Sequence, residues 1–355
     1  MLRNRAIAIA IIVNFLFLTV VPVSADNRDR TITVMTYNMY PGTEFSGIFG
    51  SETQEELVTE VAEAFTDVYA GNVPERIDEI ADQIATGSPD LVGLQEVALW
   101  RYGFPQDPAP ATIVAFDFLE MLLDRLEARG QYYVPVVIQT NLDAELTGVF
   151  SQTSALDIRF TDRLVILART DLRTSELMIE STEAQHFAVN LPVSVLGTTV
   201  LVLRGWTSVD VRHRGKTYRF INAHVESFYE PVQLAQVSEL IQRTANSPIP
   251  VILAGDFNSD AEAGGVAYGM LTSSGFADTW DLMPQSQPGF TWALSDEIPN
   301  VIAIPTQRLD LILTRGVIEH ASVDVLGEDL ATDLTPSGFR PSDHAAVKAS
   351  FVLAP

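Results

Sequence analysis

The chain has 355 residues, of which 47% are hydrophobic, and carries a formal net charge of −24 at pH 7. This length and apolar content allow one large domain or two smaller ones. The absence of cysteine excludes disulfide bonds, thiol nucleophiles and cysteine-ligated zinc sites. The acidic charge repels polyanions, and the densest basic stretch, Arg204–Lys216, is interpreted as the solvent face of a strand.

Residues 1–25 have the layout of a secretory signal peptide. Arg3 and Arg5 precede an apolar run, Ala6–Val23, and small residues suited to cleavage follow it, ending at Ala25. A retained membrane anchor is the alternative, since the run is just long enough to span a bilayer when tilted. Cleavage would remove two arginines and no acids, so the expected mature chain is secreted or periplasmic and carries −26.

Hydrophobic periodicity predicts alternating strands and helices in the first part of the chain. The predicted strands are Thr31–Asn38 and Asp90–Gln95, and the predicted helices are Gln54–Tyr69, Pro74–Ala85 and Phe116–Arg129. These segments mix both kinds of secondary structure from the start.

The rest of the chain is rich in strands. The predicted strands are Tyr132–Gln139, Ala155–Phe160, Leu164–Ala168, Ser175–Ser181, Thr199–Val211, Tyr218–His224, Ile249–Ala254, Arg308–Thr314, Ala321–Leu326 and Ala345–Leu353, and the predicted helices are Pro231–Thr244 and Gly264–Ser274. Many consecutive strands mixed with helices favour a single α+β or layered α/β domain. Periodicity alone does not give the order of the strands in their sheets.

Polar groups that a core does not need stand at the ends of several predicted strands. They occur in Tyr37-Asn38, Gln95-Glu96, Asn222-Ala223-His224, Gly255-Asp256-Phe257-Asn258 and Ser342-Asp343-His344, together with Asp310 inside an apolar run. Buried polar groups are costly. Their convergence at one edge of a sheet is typical of binding sites in open α/β folds.

The residue types indicate phosphate-ester hydrolysis. Oxygen ligands that suit Mg²⁺ or a similar cation are offered by Asn38, Glu96, Asp256, Asn258 and Asp343. His224 and His344 can donate to phosphate oxygens or transfer protons near neutral pH. A cation, two imidazoles and amide donors together can stabilise phosphoryl charge and align a water molecule.

Each residue also has a structural explanation. A lone Asn at a strand end is usually a turn former, and Glu96 can be a solvated strand end. Asp310 can pair with Arg308, and Asp343-His344 can be a helix cap or loop. The order of these segments and their shared position at strand ends favour a functional site.

The same segments resemble the motifs of the endonuclease/exonuclease/phosphatase superfamily, in the order in which that superfamily carries them. The matching segments are Thr36-Tyr37-Asn38, Asp90–Val97, Asn222-Ala223-His224, Leu253–Asn258, Arg308–Ile312 and Pro341–Val347. The resemblance implies one catalytic domain over residues 26–355. It also implies a four-layered α/β sandwich, in which two packed mixed β-sheets are flanked by helices.

The resemblance implies a role for each residue around a bound Mg²⁺, Mn²⁺ or Ca²⁺ ion. Glu96 would be the main metal ligand, with Asn38 and Asp343 close to the ion. Asp256 would orient or deprotonate the attacking water. His224 would stabilise developing charge or protonate the leaving group.

Three further residues complete the implied site. Asn258 would hold a phosphate oxygen, and Asp310 would orient the second imidazole, His344. Asp162 is a weaker candidate for a partner of His224.

Two features depart from the family pattern. Some members carry an acid directly after the first-strand Asn, whereas Met39–Gly42 follows here, which weakens the case for a second metal ion. The segment Thr43–Gly71 is longer than the minimal core. We expect it to be a lid or substrate-selecting helix, with an extra surface helix as the alternative.

The expected function is that of a secreted, metal-dependent phosphoric ester hydrolase acting on a small or lipid-linked phosphoester. An extracellular nuclease acting on DNA or RNA is one alternative, which the acidic charge disfavours. A catalytically silent binding module is another, which the intact site residues disfavour. Nothing in the sequence indicates an obligate protein partner.

A lipid substrate would require transient contact with a membrane surface through apolar residues at the rim of the site. The candidates are Phe45, Ile48, Phe49, Tyr102, Phe104, Trp206, Phe228, Tyr229 and Trp292. Aromatic residues are more often part of the core.

Overall fold

The structure is a computed structural model, and it describes residues 31–282, 287–293, 304–316, 318–329 and 331–352. The expected signal peptide and Leu353, the last residue of the final predicted strand, lie outside the described residues. Within the described ranges, no helix is both long enough and apolar enough to cross a membrane.

The described elements are sixteen strands and seven helices. The strands are β1 Thr31–Asn38, β2 Leu91–Gln95, β3 Leu99–Gly103, β4 Ile113–Asp117, β5 Tyr133–Ser151, β6 Ser154–Arg169, β7 Leu177–His186, β8 Leu191–Val195, β9 Thr198–Val202, β10 Gly205–His213, β11 Lys216–His224, β12 Val251–Asp256, β13 Ala277–Asp278, β14 Asp310–Arg315, β15 Glu319–Leu326 and β16 Ala346–Val352. The helices are α1 Ser46–Gly50, α2 Gln54–Ala70, α3 Val73–Gly87, α4 Phe118–Ala128, α5 Glu230–Thr244, α6 Val266–Ser273 and α7 Thr279–Leu282.

Two large mixed sheets form the body of the molecule. The first has the spatial order β15-β16-β1-β2-β6-β3-β4, with β5 also paired to β6. The second has the order β13-β14-β12-β11-β10-β7, and β8 and β9 form a separate hairpin. Strands β1 and β2 are parallel, as are β11 and β12, whereas the other neighbours are antiparallel.

The core consists of three apolar clusters that separate four layers. Residues of both sheets, such as Val34 and Ile252, pack against each other in the middle cluster. Helices α2, α3 and α4 cover the outer face of the first sheet, where Tyr37 is buried. Helices α5 and α6 cover the outer face of the second sheet, where Leu253 is buried. The predicted four-layered α/β sandwich is confirmed.

The alternation of side chains along the strands determines where the polar strand ends point. On β1, β11, β12 and β14, the even-numbered positions face the space between the sheets; these residues include Ile32, Val34, Phe220, Ile252, Ala254 and Ile312. Continuation in the same phase to the strand ends reaches Asn38, His224, Asp256 and Asp310. The four polar groups therefore share one side of their sheets and meet at one end of the sandwich.

Several predicted boundaries are wrong. Thr199–Val211, predicted as one strand, is divided between β9 and β10, of which only β10 belongs to a large sheet. The strands predicted at 155–160 and 164–168 form the single strand β6. The polar run Thr161–Arg163 suggested a break between them, but these side chains are buried within the strand.

Other differences concern the outer parts of the first sheet. The strand predicted at Tyr132–Gln139 continues as β5 to Ser151, and β3 and β4 have no counterpart in the prediction. The predicted helix Phe116–Arg129 starts at Phe118, because the Asp117 carboxylate accepts hydrogen bonds from the first-turn amides of Leu119 and Glu120. Strands β8 and β13 are likewise absent from the prediction.

His213, at the end of β10, links stability to pH. Its side chain is 2% exposed, and burial, followed by the charge of Arg214, lowers its pKa from 6.5 to about 4. The unfolded chain therefore binds a proton as the pH falls through 6.5, whereas the folded chain resists it until about pH 4. This difference favours unfolding in acid by up to about 3 kcal/mol.

We expect His213→Gln to flatten the pH dependence of the unfolding free energy between pH 6.5 and pH 4. Urea titrations of both proteins at several pH values provide the measurement. Any constant cost of the buried amide cancels when the two pH profiles are compared. Parallel profiles would contradict the assignment.

Candidate active site

Three neighbouring strands of the second sheet place their polar ends side by side. In the sheet register, Asp256 of β12 stands opposite His224 of β11 on one side and Asp310 of β14 on the other. Asn38 of β1 reaches across from the first sheet, and its Nδ2 donates to Asp256 Oδ2 at 3.1 Å. The strand ends of both sheets thus converge on the Asp256 carboxylate, as the sequence predicted.

Asp256 is buried at the centre of this group. The amide of Asn258 donates to its Oδ1 at 2.9 Å, and the Nε2 atoms of His224 and His344 lie 3.4 and 3.8 Å from its Oδ2. Burial raises the pKa of Asp256 to about 6, against the opposing effects of the His344 charge and the hydrogen bonds from Asn258 and Asn38. A carboxylate of this kind is suited to accept a proton near neutral pH.

His344 is paired with Asp310. Its Nδ1 lies 2.7 Å from Asp310 Oδ2, and the Asp310 amide donates to Thr291 Oγ1 at 3.1 Å. Burial alone would lower the pKa of His344. The carboxylates of Asp310, Asp343 and Asp256 outweigh that effect and raise the pKa well above its usual value, which favours the protonated imidazole. The hydrogen bond places Asp310 where it can orient the His344 ring.

His224 has the opposite protonation state. Burial, followed by the positive charges of Arg204 and His344, holds the pKa of His224 well below its usual value. Arg204 Nη1 lies 2.9 and 3.1 Å from the two ring nitrogens. The pKa values of the two imidazoles are therefore shifted in opposite directions, His224 towards the neutral form and His344 towards the protonated form.

Asp162 is not the partner of His224 that the sequence suggested. Its Oδ2 accepts a hydrogen bond from Asn141 Nδ2 at 3.0 Å, and Arg204 contacts the His224 ring instead. Arg204 was interpreted as part of a solvent-facing strand, but it lies in the short link between β9 and β10. Asn190 Oδ1 fixes its backbone amide at 2.8 Å. One feature of the sequence could have indicated a role for Arg204: it is the first charged residue after the long uncharged stretch Phe187–Leu203.

Glu96 and Asp343 supply two further carboxylates to the same cleft. Glu96 directly follows β2 in a left-handed conformation (φ 53°), and its Oε1 lies 4.0 Å from His224 Nε2. Among the described residues, no group donates a hydrogen bond to its carboxylate. Burial and the nearby Asp343 charge raise the pKa of Glu96 well above its usual value. The Glu96 carboxylate, together with that of Asp343, whose Oδ1 accepts a hydrogen bond from the Ser342 hydroxyl at 3.3 Å, fits a site for a hard divalent cation.

Asn38 uses both atoms of its amide group within the protein. Its Oδ1 accepts from the Tyr40 amide at 3.0 Å, while its Nδ2 holds Asp256. This geometry orients Asp256 and leaves only one lone pair of the carbonyl oxygen for an ion. The structure thus shows a positioning contact where the sequence predicted a place close to the metal.

A second set of possible ligands differs from the predicted set of Asn38, Glu96 and Asp343. Ligand atoms of Asp256, Asp310 and His344 lie within 4.8 Å of one another. The close pairing of Asp310 with His344 already occupies two of these atoms. Asp256 Oδ2 lies 3.8 Å from His344 Nε2, too far for a hydrogen bond, so this set is a hydrogen-bonded His344–Asp310 pair with Asp256 close by. Glu96 and Asp343 are therefore the more accessible oxygen ligands.

Backbone conformation explains why the motif Gly255-Asp256-Phe257-Asn258 begins with glycine. Gly255 has φ 146°, and a Cβ atom there would lie 1.9 Å from the Ala223 carbonyl oxygen, so only glycine fits. Asn258 is left-handed (φ 47°), and its Nδ2 donates to the Val225 carbonyl at 3.0 Å while its side chain lines the cleft. The motif therefore turns the chain sharply after Asp256.

A cleft of about 500 Å³ is lined by Asn38, Glu96, Arg204, His224, Asp256, Asn258, Asp343 and His344, whereas Asp310 is not among its lining residues. Its lining includes four of the apolar residues suggested from the sequence, Phe45, Phe49, Phe228 and Trp292. Trp206 instead belongs to the core, with 3% of its surface exposed.

The long segment Thr43–Gly71 has two parts. Its start, including Thr43 and Phe49, lines the cleft, as expected of a substrate-selecting element. Helix α2 instead packs on β5 through a buried face that includes Leu57 and Phe65, which corresponds to the surface-helix alternative.

Arg76 of α3 connects the loop that follows Asn38 with the loop that carries His344. This fully buried side chain donates to the carbonyls of Met39 and Tyr40 at 2.8 and 2.9 Å and to the Pro341 carbonyl at 2.9 Å. Burial lowers its pKa to about 10, so the guanidinium stays charged at neutral pH. Its Cζ also lies 5.0 Å from the centre of the Tyr40 ring.

The comparison with known proteins agrees with this geometry. Residues 64–344 match the model of the endonuclease/exonuclease/phosphatase family, which is more than half of the chain. The chain belongs to this family, whose members are phosphoester hydrolases. A search among curated proteins gives no match.

Solved structures share the fold at low sequence identity. A mannosyl-6-phosphatase of Bacteroides thetaiotaomicron is 18% identical with a TM-score of 0.58, covering 91% of this chain and 100% of its own. A family protein of Leptotrichia buccalis is 17% identical with a TM-score of 0.55, at 91% and 100% coverage. D. rerio TDP2 with 14 humanising mutations is 17% identical with a TM-score of 0.52, at 90% and 98% coverage.

We expect Arg76→Met to lower the unfolding free energy by about 3 kcal/mol, because three backbone carbonyls lose a donor. Arg125→Met is the matched control, since Arg125 forms a partly exposed ion pair with Asp78 that contributes little. Denaturant unfolding measures both variants. An unchanged midpoint for Arg76→Met would contradict the role of this guanidinium.

Proposed function

We propose that this chain is an exported, divalent-metal-dependent phosphoric ester hydrolase that acts on a small or lipid-linked phosphoester. The observation that carries the proposal is one cleft lined by the Asp256 carboxylate, the His224 and His344 imidazoles and the Arg204 guanidinium. Membership of a family of phosphoester hydrolases supports the reaction type. Export is supported by the pattern of residues 1–25.

The chain's own residues can perform the steps of water attack on phosphorus. Asp256 accepts the proton of the attacking water, and Asn38 and the Asn258 amide hold its carboxylate in place. Imidazolium His344 and Arg204 donate to phosphoryl oxygens, whose negative charge must be stabilised as the bond to the leaving group breaks. Asn258 and His224 also face the space where these oxygens would lie.

Glu96, with Asp343 beside it, would hold the metal ion. Bound Mg²⁺, Mn²⁺ or Ca²⁺ would offset the charge of the phosphoryl oxygens and favour ionisation of water. Both carboxylates are hard oxygen ligands, which these cations prefer. The negative charges of Glu96 and Asp343 repel each other, which is the physical reason to expect a cation between them.

The substrate class follows from charge and size. A chain of −24 whose cleft also contains Glu44, Asp162 and Asp260 disfavours polyanionic nucleic acid. A cleft of about 500 Å³ suits a single phosphorylated group rather than a long polymer. One structural neighbour is by its name a mannosyl-6-phosphatase, which adds sugar phosphates to the candidates.

A substrate panel tests the proposal: DNA, RNA, sphingomyelin, phosphoinositides and sugar phosphates, each with and without a chelator. We expect chelator-sensitive hydrolysis of a small or lipid-linked ester and little cleavage of DNA. Chelator-sensitive DNA degradation that weakens steeply with salt would favour the nuclease alternative. No hydrolysis of any substrate, including bis-p-nitrophenyl phosphate, would favour the silent binding module.

We expect His344→Ala and Asp256→Ala each to lower kcat by roughly 10²–10⁴-fold, because positioned acid–base groups contribute about that much. Steady-state kinetics at saturating metal, with circular dichroism to confirm folding, provide the test. Wild-type turnover in either folded variant would remove that residue from the mechanism.

We expect Glu96→Gln to raise the apparent dissociation constant for Mg²⁺ by roughly tenfold or more, because the ion loses a charged oxygen ligand. Metal titrations of chelator-treated protein, followed by calorimetry and by activity, give this constant. Glu127→Gln, an exposed acid on α4, is the control. Identical titrations for the two variants would contradict the ligand role of Glu96.

A further inference from the structure

The hairpin of β8 and β9 lies within an unusually apolar stretch. No charged residue occurs from Phe187 to Leu203, although charged residues make up 19% of the chain. The hairpin belongs to neither large sheet. Within this stretch, Val189 is 45% exposed and Leu201 is 51% exposed. Large apolar side chains thus face solvent with no charge among them.

The tip of the hairpin carries a leucine where the backbone favours another residue. Val195 pairs with Thr198, so the turn consists of Leu196 and Gly197, with φ values of 49° and 81°. Two positive φ values define a turn that prefers Asn-Gly. Leu196 is nevertheless 38% exposed. The sequence keeps an exposed leucine at the tip although an asparagine would suit the turn better.

The hairpin stands at the rim of the cleft. Val202, at the end of β9, and the next residue, Leu203, line the cleft, and helix α1 packs against β8. On the other side, Gln236 donates to the Val189 carbonyl at 2.9 Å and accepts from the Glu226 amide at 2.8 Å. The root of the hairpin is therefore held beside the loop that follows β11.

That loop adds two exposed aromatic residues. Phe228 is 61% exposed and also lines the cleft, and Tyr229 is 52% exposed. Val114 of β4, an exposed apolar residue outside this region, pairs with Arg101 of β3. The apolar rim, defined as Val189, Leu196, Leu201, Phe228 and Tyr229, lies at the cleft, and carboxylates flank it: Glu230 follows Tyr229, and Glu239 accepts a hydrogen bond from the Ala188 amide.

Charge and position together identify the occupant. The apolar side chains of the rim can enter the headgroup region while the exposed Glu230 carboxylate stays in water. A chain of −24 is repelled by anionic lipid, so a zwitterionic surface fits best. A phosphoester held at such an interface would lie level with the cleft.

We propose that the apolar rim docks on a zwitterionic lipid surface, so that the substrate is a phosphoester carried by an amphiphile. The proposal rests on the hydrolase function for the substrate, but docking itself is independent of catalysis. Docking on lipid would favour a lipid-linked phosphoester over a small soluble one as the substrate; the cleft alone allows both.

The test uses the protein as processed by the cell, with its N-terminus determined by mass spectrometry, and phosphatidylcholine vesicles in a flotation assay. Leu196→Asn suits the turn better and so should fold at least as well as the wild type. Combined with Leu201→Thr, it should weaken vesicle binding by about tenfold or more, because two apolar side chains are lost. Val114→Thr, outside the rim, is the matched control and should bind like the wild type.

Hydrolysis of the soluble ester bis-p-nitrophenyl phosphate should be the same in all three proteins, since neither leucine lines the cleft. Vesicle binding lost in the double variant, with unchanged melting temperature and soluble-ester hydrolysis, supports the proposal. Binding without any hydrolysis supports docking while the hydrolase function fails.

Three results would overturn docking on zwitterionic lipid. One is a wild type that does not float with phosphatidylcholine vesicles, and another is a double variant that binds as the wild type does. The third is binding only to vesicles containing phosphatidylglycerol. A concentration-dependent dimer that the double variant loses, without vesicle binding, would assign the rim to a second copy of this chain.

Discussion

The geometry of the cleft depends on one buried guanidinium. Arg76 of α3 holds the chain just after Asn38 and just before His344 through three backbone carbonyls. Ser342 adds a second connection, because its hydroxyl donates to the Asn38 carbonyl at 2.7 Å and accepts from the His344 amide at 3.1 Å. Loops are the least constrained parts of a fold, so this connection fixes the polar groups relative to the rigid sheets.

The surroundings of His224 and His344 in the cleft shift the pKa values of these two imidazoles in opposite directions. His344 is next to Asp310, whose charge raises the pKa of the imidazole, whereas His224 is next to Arg204, whose charge lowers it. Burial acts on both rings in the same direction, so the neighbouring charges decide the difference. Asp256 lies between the two imidazoles and has a raised pKa, so proton donors and acceptors coexist within a few ångströms.

Much of this arrangement could be predicted from the sequence, because strand periodicity is strict. An apolar run that alternates and ends in Asn38, Asp256 or His224 leaves little freedom for where that side chain points. Long-range contacts are different. Arg76 sits on an ordinary amphipathic helix, and no local pattern shows that its guanidinium reaches loops far away in the sequence.

Arg204 could not be predicted for a related reason. The sequence around Arg204 is strand-like throughout, so it does not show that β9 and β10 belong to different sheets. The direction of the Arg204 side chain therefore could not be inferred. In β6 the error was the reverse, because one strand was predicted as two. The polar residues between the two predicted strands are buried against distant segments: Arg163, for example, donates to the carbonyls of Val97 and Ala98. A single sequence does not show which distant residues will form hydrogen bonds with a buried polar side chain.

The central claim is that these groups surround one metal ion and one phosphoryl group. X-ray diffraction from crystals grown with Mn²⁺ and inorganic phosphate, using the anomalous signal of manganese, tests it most directly. The account predicts manganese on the Glu96 carboxylate beside Asp343, with phosphate oxygens within hydrogen-bonding distance of Arg204 and His344. Manganese bound only among Asp256, Asp310 and His344, or phosphate bound only outside the cleft, would contradict it.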